Sequence, residues 1–295
     1  MKSPLLFLVA IGFAATACSG LPNPAPIAPN APGAAPATIV ATNAAVAVIA
    51  HRGGAGLAPE NTLGSFRSGI ALNADFLEMD AQLTQDGIPV IIHDDTIDRT
   101  TDGKGLVANF PLDKLQLFNA AAKYANGTTE RQVIPTFGQV LELAKRSHAR
   151  IEVEIKVPAQ GRQKGIEQLM LDTIEEYEMR DRVQISSFDF EVLRDLKKLS
   201  TRTRTVALVT FDYFRVNDIS QPAKIAEQMK GIGVEVFAPV KDLTTPQLVQ
   251  EMHQRKILVE VWTVDTEAEM KKFIAMGVDG IITNRPDILN RVLGR

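Results

Sequence analysis

The 295 residues carry 32 Lys and Arg against 35 Asp and Glu, a formal net charge of -3, with 45% hydrophobic residues. That balance gives no support to a nucleic-acid binder, which needs a basic stripe, and the length accommodates an α/β barrel as one domain. A single cysteine excludes both an intramolecular disulfide and a cysteine-built zinc site.

The chain opens on "MKSPLLFLVAIGFAATACSG", with Lys2, an apolar run from Leu5 to Ala15 and small residues up to Cys18. This is the layout of a secretory signal over residues 1–17, and the run is too short for a comfortable transmembrane helix. Cys18 resembles the end of a bacterial lipobox, with Ala15 where leucine is more usual, and is the expected lipidation site. An ordinary secretory signal with an incidental cysteine is the alternative. The expected location is the bacterial cell envelope, as a periplasmic or outer-membrane lipoprotein touching the membrane through its anchor. Residues 18–45, rich in proline, alanine and asparagine, read as an extended, semi-rigid tether, or more simply as a disordered leader.

From Val46 onward short apolar runs alternate with helix-patterned segments, which defines a folded domain over residues 46–295. "AVAVIA" reads as a buried strand, "NTLGSFRSGIAL" as an amphipathic helix after a turn at Pro59, and "DFLEMD" as the second strand. "IPVIIHD" follows too closely for an intervening helix, so it is a hairpin partner or an extension. Residues 104–135 break the rhythm with glycines and Asn126-Gly127 turn chemistry and read as an insertion. "TFGQVLELAKRS" resumes as helix, "RIEVEIKV" as strand and Arg162 to Glu178 as helix. "VQISSF", "RTVALVT", "VEVFAPV", "ILVEVWTV" and "GIIT" are further strands. About eight strand–helix units result, the size and pattern of a (β/α)8 TIM barrel. A doubly wound sheet is the alternative, but no glycine-rich dinucleotide-type turn supports it.

Side chains alternate across a strand. Glu78 and Asp80 therefore share a face, opposite Leu77, Met79 and Ala81. In the same way Ile151, Val153, Ile155 and Val157 face helices, while Glu152, Glu154 and Lys156 point into the barrel. Active-site groups of such barrels gather at the C-terminal ends of the strands, where Glu78, Asp80, Glu154 and Lys156 all lie. The residues alone leave two readings open: a site for a hard divalent cation, Mg2+ or Ca2+ with Mn2+ also suitable, or an ion-pair network around Lys156. His51 and His93 also stand at strand ends, beside these acids and Arg52, as a pair of proton carriers would. His148 and His253 fall in polar, helical contexts without such company.

"HRGGAGLAPENTLGSF", "ADFLEMDAQLTQDGIPVIIHDDTIDRTTDG", "EVEIK", "ISSF", "VEVWTVD" and "GVDGIITNRPD" closely resemble the glycerophosphodiester phosphodiesterase family, in the family's order, from Val48 to Asp287. The resemblance implies a (β/α)8 barrel with a small inserted subdomain, here residues 104–135. It implies a metal-dependent hydrolase that splits a small-molecule glycerophosphodiester into an alcohol and glycerol 3-phosphate. It makes His51 and His93 the general acid and base, and Glu78, Asp80 and Glu154 the ligands of the divalent cation. Arg52 matches the phosphate-binding arginine and Lys156 a lysine near the same oxygens. Glu60 and Asn61 belong to the "PENT" block of the first loop. Trp262 matches an aromatic that walls the glycerol, with plain core packing as its other explanation. Asn284 stands where the family usually has aspartate, and Glu260 is an uncommon choice that would line the barrel interior. A lysophospholipid phosphodiesterase, a lyase releasing a cyclic phosphate, and a non-catalytic surface lipoprotein are the competing readings. The retention of both histidines and all three metal acids weighs against the last.

Overall fold

The computed structural model describes residues 46–125 and 130–295; the expected signal, Cys18, the tether and the Asn126-Gly127 turn lie outside them. Strand β1 (Ala47–Ala50) is followed by helix α1 (Leu63–Ala71), and β2 (Phe76–Leu83) pairs in parallel with β1, Ile49 opposite Phe76. The parallel series continues through β4 (Arg150–Ile155), β5 (Val183–Ser187), β6 (Arg204–Val209), β7 (Val236–Pro239), β8 (Leu258–Val261) and β9 (Gly280–Thr283). β9 returns to β1, with Ala47 opposite Gly280, and closes the barrel. The helices α3 (Phe137–Lys145), α4 (Ile166–Glu176), α5 (Phe190–Leu199), the pair α6 (Phe211–Val216) and α7 (Pro222–Ile232), α8 (Pro246–Gln254), α9 (Glu267–Met276) and α10 (Pro286–Leu293) alternate with these strands. This is the (β/α)8 barrel expected from the alternation, with every strand covered outside by helices.

"IPVIIHD" is a hairpin partner: β3 (Pro89–Ile91) runs antiparallel to β2 outside the barrel circuit, Gln82 opposite Val90. Among its described residues the insertion that follows holds a single 3-10 turn (Val107–Asn109), a short helix, α2 (Leu112–Leu115), and an apolar cluster of Val107, Leu115 and Ile134 against Val90, Ile92 and Ile97. That small core makes it a packed subdomain rather than a loose loop. The segment read as a helix from Arg162 begins only at Ile166, because Gly165 precedes it in the left-handed region at φ 81°.

The alternation of faces decides where chemistry can occur. Leu77, Met79, Ala81, Ile151, Val153 and Ile155 pack outward into the main core between strands and helices. Val157 lies past the end of β4 and is exposed rather than helix-facing. The lumen is divided. Val206, Leu208, Val236 and Ala238 fill one side with apolar volume. Glu78, Asp80, Glu152, Glu154, Gln184 and Glu260 are buried on the polar side.

Candidate active site

β2 and β4 lie in register so that Asp80 stands opposite Glu154 and Glu78 opposite Glu152. The three residues Glu78, Asp80 and Glu154 are buried, and each offers an oxygen within 4.8 Å of the others'. Such crowding has electrostatic consequences. Burial, and then the Asp80 charge, push Glu78 well above the usual carboxylate range. Burial likewise raises Glu154 to about 7, although Lys156 opposes the shift. Asp80 resists burial because Arg52 and Lys156 favour its anion, and it sits at about 2. Lys156 Nζ is 2.9 Å from Glu154 Oε1 and 3.6 Å from Asp80 Oδ1, so the ion-pair network exists alongside the acid cluster.

The donor set fits a hard divalent cation. All three groups offer carboxylate oxygen, which Mg2+ and Ca2+ prefer. Asn61 donates its Nδ2 to Asp80 Oδ2 at 2.8 Å, leaving its own Oδ1 buried without a hydrogen-bond partner. A cluster that leaves two carboxyls reluctant to ionise and a neighbouring carbonyl unpaired is short of positive charge.

The first loop brings His51 and Arg52 to the acids. His51 opens a single turn, His51–Gly53, in which Arg52 adopts φ 52° and ψ 35°. This conformation, uncommon for a side chain other than glycine, aims the Arg52 amide at Glu78, which accepts it at 2.8 Å. The guanidinium donates from Nη1 to Glu60 at 2.8 Å, and its Nε lies 3.4 Å from Asp80. His51 Nε2 is 4.0 Å from Glu78 Oε2, while its Nδ1 meets Asn284 Oδ1 at 2.7 Å. Burial, then Arg52, lowers the His51 imidazole to about 4.

His93 lies two residues beyond β3 and is held from both sides. Gln82 Nε2 donates to the backbone carbonyls of Ile92, His93 and Asp94 at 2.8 to 3.1 Å. Asp94 Oδ1 accepts from His93 Nδ1 at 2.6 Å. Arg99 then joins Asp94 to Glu60, donating Nε to Asp94 Oδ2 and Nη1 to Glu60 Oε2, both at 2.7 Å. A continuous chain, Arg52–Glu60–Arg99–Asp94–His93, thus ties the two histidine loops across the mouth. Burial opposes the Asp94 charge, but Arg99 and His93 bring it down to about 2.

His51, Arg52, His93 and Trp262 line one cavity of about 60 Å3 with the acid cluster. Trp262 donates its indole N–H to Ala238 O at 2.8 Å and meets Phe188 edge-on at 5.5 Å. It is a packed wall that still faces the cavity. Phe188 and Leu208 also line a neighbouring groove of about 780 Å3. Below the cavity, Gln184 Nε2 donates to Glu152 Oε2 at 2.7 Å and to Glu260 Oε2 at 3.2 Å. Glu260 therefore does line the lumen, where burial raises it and Glu152 alike.

The sequence pattern of the Glycerophosphoryl diester phosphodiesterase family matches residues 51–288. The chain belongs to this family. It is 36% identical over 242 residues to a glycerophosphodiester phosphodiesterase of Caldanaerobacter subterraneus subsp. tengcongensis, covering 82% of this chain and 95% of that one. A glycerophosphodiester phosphodiesterase of Bacillus altitudinis is 34% identical, with 81% and 95% covered. Among solved structures, an Oleispira antarctica phosphodiesterase in complex with the product sn-glycerol-3-phosphate superposes with a TM-score of 0.75 at 25% identity, with 84% of this chain and 97% of that one covered. The protein is thus a phosphodiesterase of the glycerophosphodiester class.

Of the expected site residues of the barrel, His51, Arg52, Glu78, Asp80, His93, Glu154 and Trp262 line the one cavity, and Lys156 joins them through Glu154 and Asp80. Gln82, Asp94, Arg99 and Phe188 are additional. Gln82 continues the two-residue period of Glu78 and Asp80 by one more step, and Phe188 ends the "ISSF" block. Asp94 and Arg99 lay inside the longest family-like block without a local signal of what they pair with.

Proposed function

We propose that this phosphodiesterase hydrolyses glycerophosphodiesters to an alcohol and sn-glycerol 3-phosphate. His51 and His93 would be its proton carriers, and Glu78, Asp80 and Glu154 would hold a divalent cation, Ca2+ or Mg2+ with Mn2+ also compatible. The supporting observation is that two histidines, three carboxylates and Arg52 line one cavity at the C-terminal ends of the strands, with Lys156 paired to Glu154 beside it.

A phosphodiester is an anion, and its reaction with a nucleophile gathers further charge on the phosphoryl oxygens. A cation bound by Glu78, Asp80 and Glu154 would offset that charge and fix the phosphate's position. Arg52 is oriented by Glu60 and Asp80, so its guanidinium needs no rearrangement to meet a phosphate oxygen. Lys156 Nζ adds a second positive group on the Glu154 side. One histidine removes a proton from the attacking hydroxyl or water, and the other delivers a proton to the departing alcohol. Trp262 and Phe188 give the glycerol an apolar wall, and the adjoining groove leaves room for alcohols of different size. Export to the cell envelope with an anchor at Cys18 completes the reading.

The deciding experiment incubates purified protein with glycerophosphocholine, with and without a chelator, and follows products by phosphorus NMR. Release of glycerol 3-phosphate that stops on chelation and resumes on adding Ca2+ or Mg2+ is the expected result. No cleavage, or cleavage indifferent to the chelator, sinks the proposal. Varying the alcohol in the same assay reads the headgroup preference.

A further inference from the structure

We infer that Asn284 and Asp265 are positioning residues that lock His51 in the tautomer carrying its hydrogen on Nδ1, which turns the Nε2 lone pair toward the reacting phosphate and makes His51 the proton acceptor of the first step. The inference rests on the acid–base role proposed for His51 and adds which nitrogen and which direction of transfer that role uses.

The argument is one of hydrogen-bond direction. Asp265 offers only acceptors. Its Oδ1 accepts the Asn284 backbone N–H at 2.8 Å and the Thr283 hydroxyl at 3.1 Å. The Thr283 oxygen itself accepts from the Arg285 backbone N–H at 2.9 Å, so its hydrogen is free to point at Asp265. The second carboxylate oxygen, Oδ2, lies 2.8 Å from the Asn284 side-chain nitrogen. A carboxylate cannot donate, so the amide NH2 of Asn284 has to face Asp265 and its carbonyl has to face the other way. What the carbonyl meets is His51 Nδ1, at 2.7 Å. A carbonyl oxygen accepts only, hence Nδ1 carries the hydrogen. In the neutral ring the lone pair then belongs to Nε2, the nitrogen near Glu78 on the cavity side.

Orientation of a histidine by the partner of its remote nitrogen is a general device. Here the partner is a neutral amide, itself oriented by a half-buried carboxylate on the loop after β8. It sets the direction of the bond and brings no counter-charge against the ring. With His51 accepting through Nε2, donation to the leaving alcohol falls to His93, which approaches from the opposite loop.

The test uses the full-length enzyme labelled with nitrogen-15 at histidine and freed of metal, examined at neutral pH by long-range proton–nitrogen correlation. The His51 signals are identified by their loss in His51→Ala. A protonated Nδ1 and a bare Nε2 are expected. An Nε2-protonated ring in the wild type overturns the inference with no variant needed. Asp265→Asn removes the acceptor-only constraint and can donate to the Asn284 carbonyl, which lets the amide turn over. Its His51 should lose the Nδ1–H tautomer, and kcat should fall on the order of 10- to 100-fold with KM little changed. An unchanged tautomer and unchanged kcat in Asp265→Asn overturn the inference. Asn284→Asp still accepts from Nδ1 and should keep the wild-type tautomer; reversal there counts against it equally. Full turnover by His51→Ala removes the underlying acid–base role and the inference together, whereas an inactive His51→Ala with the wrong wild-type tautomer removes this inference alone.

Discussion

Arg52 shows how much this site asks of single residues. Its left-handed backbone costs free energy that a helical or extended residue avoids, of order 1–3 kcal/mol, and it persists because the turn aims one residue at three acids. The acids themselves are held in an uncomfortable state. Glu78 is predicted to hold a cation that both lowers this repulsion and binds phosphate. Glu78→Gln is nearly isosteric and retains an acceptor for the Arg52 amide, so it should fold. It should bind Ca2+ or Mg2+ at least about tenfold more weakly, since even supporting groups at metal sites cost 10–100-fold. Calorimetric titration measures this directly; equal affinity in the two proteins rules out the site. Arg99 poses a different case, for it is about half exposed, with 47% of its side chain accessible. Exposed ion pairs contribute roughly 0–1 kcal/mol to stability, so Arg99→Met should barely move the melting temperature. Yet Arg99 fixes Asp94, and Asp94 orients His93. A fall in kcat of about tenfold is expected. Arg99→Lys should not restore it, because an ammonium cannot fork between two carboxylates. Full activity in Arg99→Met would show that His93 needs no such support. At this scale the sequence displayed the residue types suited to the chemistry, and of those that orient them only Glu60, Asn61 and Asn284, through the family resemblance. Catalytic residue types stand out at strand ends, whereas His51 and Asn284 are 233 positions apart and meet only through closure of the barrel.

At the scale of elements, the strand faces were legible because period two is a local property of the backbone. Leu77, Met79 and Ala81 went to the helices and Glu78 and Asp80 to the lumen as the alternation required. Less legible was what the lumen tolerates. Glu152 and Glu260 meet there around Gln184, and burial keeps both carboxyls inclined to hold protons. Space for Glu260 comes from β9. A Cβ at Gly280 would lie 2.8 Å from Glu260 Cγ and 3.0 Å from Ile49 Cδ1. Gly280→Ala is therefore expected to overpack the lumen and destabilise the fold by about 1–3 kcal/mol, measured by urea unfolding. A neutral effect would mean that the lumen repacks freely. Helix starts were the weakest part of the reading. The pattern from Arg162 is helical in composition, but Arg162 pairs with Glu167, Asp189 and Asp195 rather than beginning the helix, and Gly165 sets the true start. Long-range ion pairs of this kind leave no periodic trace. The insertion was recognised as an interruption because turn residues and missing period are local too. Its separate apolar cluster depends on contacts back to Val90 and Ile92, which sequence order does not display.

For the whole molecule, the end of the barrel opposite the mouth has its own titratable link. His253 Nε2 on α8 pairs with Asp279 Oδ2 beside β9 at 2.7 Å, and that hydrogen bond raises the histidine above its ordinary value. A raised folded-state value means that the protonated pair stabilises the fold below about pH 6.5, with the benefit lost as pH rises through the folded value. His253→Gln should therefore lower the melting temperature at about pH 5.5 and converge with the wild type by about pH 9; a constant gap across that range would show that the charge plays no part. The same polarity of the barrel bears on anchoring. β1 starts at Ala47 on the rim opposite the strand ends that carry His51, Asp80 and Glu154, so any chain upstream joins the barrel away from its mouth. Among the described residues no helix is long and apolar enough to cross a membrane, so attachment would depend on the segment before Ala47. Acyl chains on Cys18 would supply it, each buried methylene contributing about 0.8 kcal/mol. The wild type expressed in a bacterial host should then partition into the detergent phase and Cys18→Ser into the aqueous phase. Because Cys18 contributes nothing to the cavity lining described, the two forms should cleave a soluble diester with equal kcat/KM. If both forms stay in the aqueous phase, Cys18 is not an anchor. If Cys18→Ser leaves the detergent phase but also loses activity, attachment and catalysis are linked.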